Sequence, residues 1–178
     1  MIKVARDYFQ LIETDKVTSK VQDGRIFIKR AALKKQKYDW IILDAFNGDY
    51  IPEHLLTKEF FAEVKSVLAE GGIVAANTFS SSKLYQHESA TYYDVFGDFV
   101  NVVTDKNSNR IILAGLNAMP SDQQIAKRVK QLAVKLAPYD VDIHSLSEHL
   151  LYTKDNQNWP SDTKVLTDQY SPANLLNY

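Results

Sequence analysis

The sequence predicts an α/β protein, a doubly wound sheet with an antiparallel edge. Two apolar runs carry that expectation, YDWIILDAF over 38–46 and GIVAANT over 72–78, neither of which alternates with polar residues. Such runs suit strands buried on both faces of a parallel sheet. An amphipathic helical stretch lies between them, and a βαβ crossover of this kind is right-handed in nearly all known cases. Two further β-type runs, FVNVVTD (99–105) and RIILAGL (110–116), flank an Asn-Ser-Asn turn and predict an antiparallel hairpin.

The elements follow in order. Ile2, Ala5, Phe9 and Ile12 sit at helical spacing, although no capping residue precedes them. VTSKVQ, 17–22, is β-branched and alternating, the pattern of a short strand. Asp23-Gly24 closes it and opens the helix RIFIKRAAL, whose end carries Lys34, Lys35 and Lys37, where cations suit the helix dipole. Thr57 is placed to cap the helix KEFFAEVKSVLAE, with Phe60, Phe61, Val64, Val67 and Leu68 as its buried stripe and Gly71-Gly72 as its stop. Ser80 to Ser82 are expected as a loop opening a tyrosine-rich helix through about Phe96, ahead of the hairpin. Ser121 with Gln124 makes a capping box for a long helix stopped by Pro138. A short helix near Ile143–Leu151 and an irregular tail from about 153 to 178 complete one domain.

Composition narrows the chemistry. Twenty-one basic residues against 22 acidic ones leave no cationic excess for tracking phosphates, so nucleic acid is not an expected partner. With no cysteine there are no disulfides, thiolate metal sites or cysteine nucleophiles, which fits a reducing, cytoplasmic setting. No apolar run reaches membrane-spanning length, and His54, His87, His144 and His149 have no metal-ligand spacing, so neither a membrane nor a metal is expected.

In open parallel sheets ligands bind beyond the carboxyl ends of the strands. Three such ends carry polar residues: Asp23, Asp44 and Asn77. Asp23 can accept a hydrogen bond from the amino group of a base while Gly24 lets a ring approach; equally, it can serve as an aspartate at a helix N-terminus. Asp44, directly after YDWIIL, is expected to be desolvated on one side, which raises a carboxylate's pKa and makes it a candidate base. It can also simply cap the following loop. Asn77 can orient a substrate amine or bond its own loop.

Together VTSKVQDGRIFIKR, KYDWIILDAFNGDYIPEHLLTKEFFAEVKSVLAEGGIVAANTF and the closing VLTDQYSPANLL resemble the spermidine synthase (polyamine aminopropyltransferase) family of Rossmann-type, class I methyltransferase-like transferases. That resemblance implies transfer of an aminopropyl group from decarboxylated S-adenosylmethionine to a polyamine such as putrescine. It places Asp23 and Gly24 against the adenine and Asp44 at the catalytic centre; Asn47, Asp49 and Asn77 are the candidate substrate-binding residues. The family's acid–x–x–acid after the strand reads Asp44-Ala45-Phe46-Asn47 here, with Asp49 two residues on. A complete member also begins with a strand, a Gly-rich nucleotide loop and a second strand. MIKVARDYFQ resembles the helix that follows those, so the expected fold is a domain missing the first two strands. Either the 17–22 strand then pairs with YDWIIL, or another copy fills the gap, or the sequence is a fragment; a homo-oligomer is the expected assembly. A methyltransferase using S-adenosylmethionine on the same fold and a non-catalytic, self-associating remnant are the competing readings.

Overall fold

The computed structural model describes residues 2–46, 50–80, 83–103 and 109–172. Its helices are α1 (Ile2–Phe9), α2 (Gly24–Leu33), α3 (Lys58–Ser66), α4 (Leu84–Phe96), α5 (Asp122–Leu136) and α6 (Ile143–Glu148). Its strands are β1 (Tyr38–Leu43), β2 (Leu68–Phe79), β3 (Val100–Val103), β4 (Asn109–Gly115) and β5 (Leu150–Tyr152). They form one open sheet in the order β1-β2-β4-β3-β5. β1 and β2 run parallel, joined through α3, and the remaining neighbours are antiparallel. The mixed α/β sheet and its β3–β4 hairpin are as the sequence pattern predicts, though the hairpin's turn lies outside the described residues.

Local chemistry explains the helix ends. Asp23 accepts from the Ile26 N–H and Thr57 from the Phe60 N–H, each satisfying a first-turn donor that the helix itself leaves unpaired. The Ser121–Gln124 box is reciprocal, with both bonds formed. Phe60, Phe61, Val64, Val67 and Leu68 are all buried in one core with Ile41, Val74, Leu84, Tyr92, Phe99 and Ile112. The ring centroids of Phe61 and Tyr92 lie 4.1 Å apart within it. Val129 of α5 is buried outside that cluster.

Four expectations need correction. Residues 17–22 form no strand, because nothing in the described sheet lies beside them to pair with. The third helix stops at Ser66 rather than at Gly71-Gly72, since the Tyr38 N–H takes the Val67 carbonyl and draws the chain into the sheet. The two glycines sit inside β2, in an irregularity where Tyr38 pairs with Leu68 but Trp40 with Ile73. Gly71 has φ +74°, the left-handed region that glycine alone enters cheaply. The YDWIIL strand is covered on one face only: Ile41 is buried, whereas Trp40 and Ile42 are 64% and 73% exposed. α1 buries no side chain and so does not cover them. Finally, the helix expected through Leu151 ends at Glu148, and Leu150–Tyr152 adds an edge strand to β3.

The tail is irregular but not peripheral. Trp159 stacks on Phe99 at 5.8 Å, and Leu166 is fully buried. The Leu166 N–H donates to Thr91 Oγ1 while its carbonyl accepts from the Lys58 N–H at the start of α3.

Candidate active site

The carboxyl ends of β1 and β2 bring two of the anticipated residues together. Asn77 Nδ2 donates to Asp44 Oδ1 at 3.0 Å, and Asn77 Oδ1 accepts from Asn109 Nδ2 at 3.2 Å. Asn77 and Asn109 share a face because β2 and β4 pair with Asn77 opposite Ile111 and Phe79 opposite Asn109. Asp44 thus has one oxygen fixed by a neutral amide that is itself anchored. It is exposed, so the desolvation expected of it at the strand rim is not supplied by the described residues. Asn47 and Asp49 lie outside the described residues.

A cavity of about 400 Å³ opens beside this chain. Gly24, Asp44 and Asn77 all line it, together with aromatic and aliphatic walls such as Phe27, Trp40 and Phe60. A mostly apolar hollow with a few convergent polar groups is the usual form of a small-molecule site. A Cβ built on Gly24 would meet nothing within 4 Å, so the glycine leaves open space at the cavity wall.

Asp23, next to Gly24, does not itself line that cavity. One oxygen caps α2 and the other pairs with His54 Nε2 at 2.7 Å. The Ile26 N–H, and then His54, hold its carboxyl below the ordinary range. Next to it Arg25 forms a double fork. Nε and Nη2 bind the two Glu63 oxygens at 2.9 and 2.8 Å, and Nη1 and Nη2 bind those of Asp168 at 2.7 and 2.8 Å. Asp168 also accepts from Thr57 Oγ1 at 2.7 Å, and its N–H donates to Glu59 at 2.9 Å. Arg25 and Thr57 bring its carboxyl down to about 2 against its own partial burial.

A second polar group lies inside the core and lines the same cavity through Glu88. Arg110 is fully buried, with bonds to Ser89 Oγ at 2.7 Å, the Tyr85 carbonyl at 3.2 Å and Glu88 at 3.3 Å. Its guanidinium lies 3.7 Å from the Tyr85 ring centroid, and Thr78 Oγ1 donates to Glu88. Burial pushes the Glu88 carboxyl up, with Arg110 and Thr78 opposing, and raises the Tyr92 hydroxyl well above its ordinary value. Arg110 Nε has no partner among the described residues. None of Arg25, His54, Glu88, Asn109, Arg110 or Asp168 stood out as functional in the sequence. Only the charges within the apolar contexts of HESATYY and NRIILAG hinted at the buried pair. Among the described residues no group of three or more His, Asp or Glu is placed to hold a metal ion.

The Spermine/spermidine synthase domain model matches residues 1–107. A polyamine aminopropyltransferase of Vibrio vulnificus is 45% identical over 98% of this chain and 58% of its own length. One from Neisseria meningitidis is 28% identical over 88% of this chain and 59% of its own. The chain therefore spans a little under three-fifths of the length of these curated relatives. Among solved structures, a probable spermidine synthase from Corynebacterium glutamicum superimposes with TM-score 0.64 at 22% identity, over 94% of this chain and 60% of that one. Human methyltransferase-like protein 13 in complex with SAH gives TM-score 0.68 at 20% identity, over 76% of this chain and 66% of that one. At those identities the two structures speak for the fold alone.

Proposed function

From the premise that this chain belongs to the spermine/spermidine synthase family, we propose that its strand-end site serves aminopropyl transfer. The donor is decarboxylated S-adenosylmethionine and the acceptor a polyamine. The observation that carries this reading is Asp44 at the mouth of the cavity, oriented by Asn77 and Asn109.

The reaction needs a neutral amine, because only its lone pair can attack the carbon beside the sulfonium. As the new C–N bond forms, the C–S bond breaks, methylthioadenosine departs, and a proton must leave the nitrogen. Asp44 is the acceptor of that proton. A carboxylate fixed through Oδ1 by an amide presents its remaining lone pairs in a defined direction, and a base must first be within hydrogen-bond reach. Asn77, Asn47 and Asp49 contribute to the acceptor's subsite. Gly24 admits the adenine, and Asp23, ionised with two of its roughly four acceptor sites in use, takes a bond from the adenine amino group.

Calorimetric titration with decarboxylated S-adenosylmethionine, S-adenosylmethionine and methylthioadenosine tests the reading. The decarboxylated donor is expected to bind more tightly than S-adenosylmethionine. The opposite order would favour methyl transfer, and no binding of any of the three at millimolar concentration would remove both enzyme readings for this chain. Asp44→Asn is expected to lower turnover far more than donor affinity; equal losses in both would count against a base.

A further inference from the structure

His54 links two walls of the cavity beside Asp44. Gly24 and Phe27 line that cavity from α2. Ile51 and Leu55 line it from the segment around a single 3-10 turn, Glu53–Leu55, which carries His54. Two bonds join these walls. His54 Nε2 meets Asp23 Oδ2 at 2.7 Å, and the His54 carbonyl accepts from Arg25 Nη1 at 3.3 Å. Asp23 and Arg25 flank Gly24 in the chain, so His54 is tied to both neighbours of the glycine that opens the cavity wall.

An ionised carboxylate has no proton to give, so the proton in the Asp23–His54 bond sits on Nε2. The Ile26 N–H alone would leave the carboxyl free to turn about Oδ1, because the terminal torsion of an aspartate is broad. The His54 bond to Oδ2 removes that freedom. The His54 side chain is 49% exposed and that of Asp23 35%, and pairs of that kind add little to stability. The effect of the bond falls instead on where the carboxylate points.

We propose that His54 is a positioning residue for base recognition: by fixing the Asp23 carboxylate it makes the site select a 6-amino purine over a 6-oxo one. This rests on the reading of Asp23 as acceptor for the adenine amino group. A 6-amino group donates to a carboxylate. A 6-oxo purine presents an oxygen there and carries its donor on N1, one ring position away. A carboxylate free to turn can follow that N1–H, whereas a fixed one meets the oxygen, acceptor against acceptor.

Calorimetric titration of this chain and its variants with methylthioadenosine and its 6-oxo counterpart, methylthioinosine, tests the assignment. His54→Leu should weaken methylthioadenosine about tenfold, as one hydrogen bond at an ionised group supports, and leave methylthioinosine within about twofold. Its unfolding midpoint should stay close to that of the unsubstituted chain. His54→Gln, which returns an N–H donor, should recover part of the discrimination. Asp23→Ser keeps a capping oxygen for α2 but loses the one that His54 holds, and in that background His54→Leu should change neither affinity. Discrimination unchanged in His54→Leu would overturn the role of His54 and leave the adenine contact of Asp23 standing. So would a His54→Gln protein no better than His54→Leu, or an equal effect of His54→Leu in the Asp23→Ser background. Methylthioadenosine held as tightly by Asp23→Ser, or not bound by the unsubstituted chain, would overturn the adenine contact itself and the role of His54 with it.

Discussion

Asp168→Asn tests the link between the tail and the helices that frame the site. In the native fold Arg25 and Thr57 hold the Asp168 carboxyl at about 2, against an ordinary value of 3.8. A carboxyl lowered in the folded state contributes stability that is fully present above the unfolded value. That contribution disappears as pH falls through the folded one. The difference corresponds to about 2.4 kcal/mol at 1.36 kcal/mol per pH unit. The Asp168 side chain is 43% exposed, however, and solvent screening reduces the expectation to about 1 kcal/mol. Asparagine keeps the shape and one acceptor but not the charge.

Urea denaturation of both proteins should therefore differ by about 1 kcal/mol at pH 7, and the gap should close between pH 4 and pH 2. The slopes should match, since little surface changes. A difference that stays constant down to pH 2.5 would refute the electrostatic account and leave only a lost packing contact. No difference at pH 7 would mean that the fork to Glu63 alone satisfies Arg25.

Two further substitutions address the interior. Arg110→Met leaves Glu88 buried without its cation and is expected to cost about 3–5 kcal/mol by chemical denaturation. Adding Glu88→Leu should recover most of that loss, and failure to recover would show that packing rather than charge dominates there. Gly72→Ala places a Cβ 2.8 Å from the Tyr38 carbonyl oxygen and 3.0 Å from that of Ala69, both backbone atoms that cannot swing away. Thermal denaturation should show a loss of about 1–3 kcal/mol, as for other overpacked positions, and a neutral result would mean that the β1–β2 junction is looser than described.

Period and punctuation made much of the fold legible. Thr57, the Ser121–Gln124 box and the Phe60–Leu68 stripe are local signals, and each acts where it was placed. Gly71-Gly72 misled because paired glycines commonly stop helices, whereas here the competing Tyr38–Val67 bond ends the helix first. Residues 17–22 carry strand chemistry, but a strand also needs a neighbour, which no local pattern supplies. At the site, Asp44 and Asn77 were legible because each comes at the end of an apolar run. Their anchor Asn109 was not, since its role depends on the register between β2 and β4. Arg25 and Asp168 are 143 positions apart, and nothing in the spacing announces their fork.

That register connects the buried and exposed halves of the site. Thr78 and Arg110 are directly paired across β2 and β4, and both point into the core toward Glu88. Their neighbours Asn77 and Asn109 therefore point to the other face, where they meet Asp44. Slipping the pair by one residue would turn every side chain of the moving strand to the opposite face. Arg110 would leave Glu88 in the core without its cation, while Asn109 would be buried without Asn77. A buried ion pair adds little net stability when intact but is costly to break, so its energetic effect is concentrated in excluding the shifted alternative. The Arg110–Glu88 pair thus acts on Asp44 without touching it: it fixes the one strand alignment in which the carboxylate has an anchored amide beside it.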